Sequence, residues 1–127
     1  MKIVIVGSSH AGICAGLRAL EEYPEAEITL YDKRVSQGII SYLAGQKSVL
    51  NQSSYSSVEE LKAAGLNMQM ETVVEEIDTK NKRLFYRRVN SKKTKLALYD
   101  KLIFATGSYP AMTSVPFDKK SKLYFLK

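Results

Sequence analysis

Apolar positions change period several times along the chain, and each change predicts an element. Lys2-Ile3-Val4-Ile5-Val6 is a short β-branched run ended by Gly7, which predicts a strand buried on both faces. From Ala11 to Glu22 the apolar residues recur at helical spacing, with Ile13, Leu17 and Leu20 on one stripe and Cys14 beside them. Tyr23-Pro24 ends that helix, because the residue before a proline is pushed out of the helical region. Glu27 to Tyr31 predicts a second strand, followed at the surface by Asp32-Lys33-Arg34. Strand, glycine turn, helix and strand together make a βαβ unit, which winds right-handed into a parallel sheet.

Beyond Arg34 the pattern is weaker. Gln37 to Gln46 mixes two glycines with apolar residues, with a short helix expected around Ser41 to Ala44. Ser53 to Ser57 is polar and serine-rich and predicts a loop. Ser57-Val58-Glu59-Glu60 has the spacing of a capping box, so a helix starts there and stops at Gly65. Met68 to Ile77 predicts one strand or a bent pair, Asp78 to Asn81 a turn, and Leu84 onward a hairpin around Asn90-Ser91-Lys92-Lys93. Lys101 to Ala105 is a last apolar strand, closed by Thr106-Gly107. No repeat and no break in composition divides the chain, so a single domain over residues 1–127 is expected.

Composition narrows the class. Hydrophobic residues make up 45% of the 127 and charged residues 25%, the balance of a globular protein with its own core. The lone cysteine, Cys14, rules out a disulfide within one chain, and its place in an apolar helix predicts a core residue. No apolar run is long enough to span a bilayer, and the first run ends in a glycine motif rather than a cleavage site; a cytoplasmic location without membrane contact is expected. The net charge of +6 is concentrated in eight basic residues from Lys80 to Lys95, uninterrupted by an acid. Such a run suits a polyanion interface, or a hairpin with a solvated basic outer face; the alternation Leu84-Phe85-Tyr86-Arg87-Arg88-Val89 favours the hairpin over nucleic acid.

The candidate chemistry lies in Gly7-Ser8-Ser9-His10-Ala11-Gly12, between the first strand and its helix. A pyrophosphate needs backbone N–H donors at a helix start and side chains small enough to let it approach. Gly7 permits the tight turn and Gly12 the close packing of helix on sheet, while Ser9 replaces the middle glycine of the usual G-x-G-x-x-G and brings a hydroxyl that can donate to a phosphate. Asp32 ends the second strand, 25 positions after Gly7, where a carboxylate accepts both hydroxyls of an adenosine ribose and repels a 2′-phosphate. These features predict binding of a dinucleotide; they do not choose which.

The glycine turn, Tyr31-Asp32-Lys33, and Leu102-Ile103-Phe104-Ala105-Thr106-Gly107 together resemble the N-terminal FAD-binding part of the NADH oxidase and NADH peroxidase family, within the wider pyridine nucleotide-disulfide oxidoreductases. The resemblance covers essentially all of the chain. It implies an α/β, Rossmann-like FAD/NAD(P)-binding domain whose parallel sheet carries a β-meander or hairpin insertion, here between Met68 and Leu98. It implies FAD as cofactor, with Gly7, Ser8, Ser9, His10, Ala11 and Gly12 along the pyrophosphate, Asp32 on the adenosine ribose, Lys33 and Arg34 beside it, and the backbone near Val74 at the adenine edge. Ala105, Thr106 and Gly107 would close over the nucleotide from the other side, and His10 takes the place of an acid/base or hydrogen-bonding group near the flavin.

Two departures from that family shape the functional expectation. Aligning Gly38 with the glycine of Ile-Ser-Phe-x-x-Cys-Gly puts Gln37 in the place of the redox cysteine, and glutamine forms no sulfenate. Family members are also several times longer, with a separate NADH-binding region and a dimerisation domain. A fragment or truncated member is therefore expected, binding FAD without independent turnover, meeting NADH only within a longer chain, and self-associating through uncovered surface. The alternatives are a nucleotide-binding or regulatory module without catalysis, and a basic polyanion-binding protein.

Overall fold

The computed structural model describes residues 1–35 and 57–108. The helix expected at Ser41 to Ala44, most of the Ser53 to Ser57 loop, and Gln37 lie outside the described residues.

The βαβ unit forms as the periodicity predicts: β1 (Lys2–Val6), α1 (His10–Glu22) and β2 (Glu27–Tyr31). After the undescribed segment come α2 (Val58–Ala63), β3 (Asn67–Gln69), β4 (Thr72–Asp78), β5 (Arg83–Arg88), β6 (Lys95–Leu98) and β7 (Lys101–Phe104). Four strands make a parallel sheet in the order β3-β2-β1-β7, and the other three make an antiparallel sheet in the order β4-β5-β6. Because β1 lies between β2 and β7, the strand order reverses at β1, and the crevice opens beyond its carboxyl end.

Alternation along β1 builds two cores. Ile3 and Ile5 face the helices and pack with Ile13, Ile28, Leu30, Val58 and Leu61. Val4 points the other way, into a cluster with Tyr31, Leu84 and Tyr99 that joins the parallel sheet to the antiparallel one. The rings of Tyr31 and Tyr86 meet there with centroids 4.9 Å apart. Burial first, and then Tyr86, pushes the Tyr31 phenol well above its ordinary range, so it stays neutral.

One expectation is narrowed and one changes. Of the two readings of Met68 to Ile77, the bent pair of strands forms, and its members β3 and β4 belong to different sheets. The break falls at Glu71, whose φ of 51° turns the chain from one layer to the next. Cys14, expected in the core, is half-buried, because the buried stripe of α1 runs through Gly12, Ile13 and Gly16 and leaves the cysteine on its flank beside His10. The basic run forms β5, β6 and their turns, and its neutralising acids come from β4: Arg87 meets Glu75 at 2.5 Å and Arg83 meets Asp78 at 2.9 Å. Among the described residues no helix is long and apolar enough to cross a membrane.

A Cβ at Gly12 would stand 2.0 Å from the Gly7 carbonyl oxygen, a distance that only backbone movement relieves. We expect Gly12→Ala to destabilise the fold by about 3 kcal/mol or more, against about 1 kcal/mol for Ser57→Ala, which removes only the cap of α2. Urea denaturation monitored by circular dichroism checks the difference; equal effects would contradict the packing described.

Candidate dinucleotide-binding site

The glycine turn brings two distant segments into contact. Gly7 has φ +105°, and a Cβ there would lie 2.1 Å from the Ala105 carbonyl oxygen and 3.1 Å from the Thr106 nitrogen. Ala105 N–H in turn donates to the Val6 carbonyl at 2.8 Å. Ala105, Thr106 and Gly107 therefore line the crevice opposite α1, with Thr106 and Gly107 exposed.

The start of α1 lacks the groups that usually close a helix. Ser9 is the N-cap, yet its side chain bonds no backbone N–H, and the first turn carries no acid. The first intrahelical bond runs from Ile13 N–H to the Ser9 carbonyl at 3.0 Å, which leaves the His10, Ala11 and Gly12 amides without helical partners. By contrast α2 is closed by a complete capping box: Glu60 N–H donates to Ser57 Oγ, and Ser57 N–H donates to the Glu60 carboxylate. The positive end of α1 is thus open to an anion. His10, half-buried, has its ring nitrogens 3.7 and 3.9 Å from Cys14 Sγ.

Asp32 sits at the far side of the turn, 6% exposed. Its Oδ2 accepts from Ser8 N–H at 2.8 Å, from Ser8 Oγ at 2.8 Å and from Arg34 Nη2 at 2.7 Å. Its Oδ1 accepts from Arg34 N–H at 2.9 Å and from Arg34 Nε at 3.0 Å. Burial alone would push this carboxyl up, but the bonds from Arg34 and Ser8 outweigh it and hold the group well below the usual carboxylate range.

Two of the sequence-derived site residues are brought together here. Ser8, expected along the ligand, is fully buried and spends both donors on Asp32, so it positions the carboxylate from behind. Asp32, expected to take ribose hydroxyls, accepts from Ser8 and Arg34 among the described residues. Lys33 is exposed beside them.

Val74 lies on β4, an edge strand. Val89 N–H donates to the Glu71 carbonyl, so hydrogen-bonded pairing on β4 includes Glu71 and, by alternation, Val73. Thr72 and Val74 then face away from β5; accordingly Thr72 N–H donates to the Asp32 carbonyl at 2.8 Å. The Val74 peptide groups share that open edge. The register with β5 shifts between Val74 and Glu76, leaving Glu75 as a bulge. Neither the bulge nor the Arg34 fork has a signal in the sequence pattern.

A family model of the pyridine nucleotide-disulphide oxidoreductases matches residues 1–127. An NADH oxidase of Enterococcus faecalis is 36% identical over 121 residues, covering 91% of this chain and 27% of that protein. An NADH oxidase of Lactococcus lactis is 34% identical over an alignment of 132 residues, covering 100% of this chain and 29% of that protein. The solved structure of a water-forming NADH oxidase from Lactobacillus brevis is similar with a TM-score of 0.70 at 36% identity, covering 91% of this chain and 27% of that one. The chain therefore spans under a third of the length of these relatives. The matched family and its NADH oxidases are FAD-binding flavoproteins. With its glycine turn, its open helix start and its returning Ala105-Thr106-Gly107 segment, the chain belongs to the pyridine nucleotide-disulphide oxidoreductase family.

Proposed function

We propose that this chain is an FAD-binding domain of the NADH oxidase type, spanning residues 1–127 and holding the pyrophosphate of FAD at the start of α1. The observation that carries the reading is the uncapped, acid-free helix start facing a segment whose backbone packs on Gly7. The free amides of His10, Ala11 and Gly12 supply donors, and the Ser9 hydroxyl, engaged in no cap, adds another. The outward peptide of Val74 offers a donor and an acceptor to an adenine edge, while Thr106 and Gly107 close the crevice from β7. FAD, when bound, supplies the redox chemistry of the family. His10 is the side chain of the turn suited to hold or pass a proton beside it.

The reading assigns no thiol cycle to this segment. Its single cysteine lies on α1, and burial raises its thiol above the ordinary range, away from the thiolate that such a cycle needs. NADH oxidation belongs, on this reading, to the protein that joins this domain to an NADH-binding region. Self-association would use the open edge of β7, where Phe104 is 63% exposed; size-exclusion chromatography giving a monomer at high concentration would remove that element.

The bonding of Asp32 also fixes a pH dependence. A carboxyl held below its unfolded value stabilises the native state fully above that value, about pH 4, and loses the contribution as pH falls. We expect thermal stability to fall more steeply below about pH 4 in the wild type than in Asp32→Asn; parallel curves would contradict the bonding described.

For the cofactor itself, FAD titration should quench flavin fluorescence and raise the melting temperature. Ser9→Asp places a negative charge at the helix start, so stability should rise by about 0.5 kcal/mol or more while FAD affinity falls at least about tenfold. Unchanged FAD binding in that variant, or no binding by the wild type, would overturn the reading.

A further inference from the structure

A carboxylate offers about four acceptor positions, and Asp32 already takes five donors, all from Ser8 and Arg34. We propose that Arg34 determines how this site reads a nucleotide ribose, because its guanidinium occupies the acceptor capacity of Asp32 that a ribose hydroxyl would use. The inference rests on the dinucleotide reading above and adds to it the residue that sets its ribose selectivity.

Among the described residues the geometry assigns the covering role to Arg34. The Ser8 amide and hydroxyl lie behind the carboxylate in a fully buried residue and have nowhere to move. The Arg34 amide is fixed as well, since the neighbouring Arg34 carbonyl accepts from Glu71 N–H at 3.1 Å and ties this backbone to the corner of β4. Only the guanidinium is removable. It grips both oxygens side-on through Nε and Nη2, and its side chain is 37% exposed where that of Asp32 is 5% exposed. It is therefore the solvent-facing partner of the pair.

Turning the Arg34 side chain outward leaves Asp32 with three donors, two on Oδ2 and one on Oδ1, so one acceptor position reopens on Oδ1 without any backbone shift. A ribose hydroxyl then takes the position that the guanidinium vacates. With Arg34 in place, an adenosine ligand is held at its phosphates and its 2′-hydroxyl goes unread. Ribose selectivity and affinity are therefore both lowered by the ion pair.

ADP and 2′-deoxy-ADP, titrated into the 127-residue chain by calorimetry, test this directly. The wild type should bind both within about twofold of each other, whereas Arg34→Met should bind ADP about tenfold tighter and prefer it over 2′-deoxy-ADP by about tenfold. Wild-type preference for ADP of tenfold or more would overturn the proposal even if the variant fails to fold. Unchanged or weaker ADP binding by a folded Arg34→Met would overturn it while leaving nucleotide binding intact. Binding of neither ligand by either protein would remove the dinucleotide reading and this inference with it.

Discussion

Three backbones converge at Gly7, and the architecture is organised around that approach. A side chain at Gly7 would strike the Ala105 carbonyl, and one at Gly12 would strike the Gly7 carbonyl. The end of β1, the start of α1 and the end of β7 thus stand at distances that only hydrogen can occupy. One turn further, Gly16 leaves room for Leu66 and Leu30, so α1 settles along its length onto the sheet. Close packing here is what lets a helix start, a strand end and a returning segment share one crevice.

The two helix starts show how the same chain solves one problem in opposite ways. Helix α2 satisfies its own amides with Ser57 and Glu60. Helix α1 leaves its amides open, and its first turn holds only a histidine, an alanine and a glycine. An unsatisfied helix start raises the free energy of the empty domain slightly, and an anion recovers that difference on binding. The sequence differs accordingly: the capping-box spacing is present at Ser57 and absent at Ser9.

Much of this was legible because it depends on local chemistry. The β-branched run, the apolar stripe of α1, the proline at 24 and the capping box each specify an element through short-range physics, and each element formed. The glycine turn was legible for the same reason. The partition of Met68 to Ile77 between two sheets was not, since its corner is a glutamate with positive φ, a residue type that gives no turn signal. The fork between Arg34 and Asp32 was equally hidden. Two opposite charges near each other in sequence read as a solvated surface pair, and only the burial of Asp32 turns them into a closed acceptor set. The acids that balance the basic hairpin sit on β4, outside the run that drew attention to its charge.

The corner at Glu71 ties the layers together mechanically. Glu71 and Thr72 donate backbone bonds to the carbonyls of Arg34 and Asp32, while the Glu71 carbonyl receives the N–H of Val89, just past the end of β5. The acidic end of the crevice is therefore stitched to the first strand of the outer sheet through consecutive peptides, with no flexible spacer between them. The outer sheet and the backbone that carries the carboxylate therefore share one continuous hydrogen-bond network, so the placement of Asp32 is fixed from both layers at once.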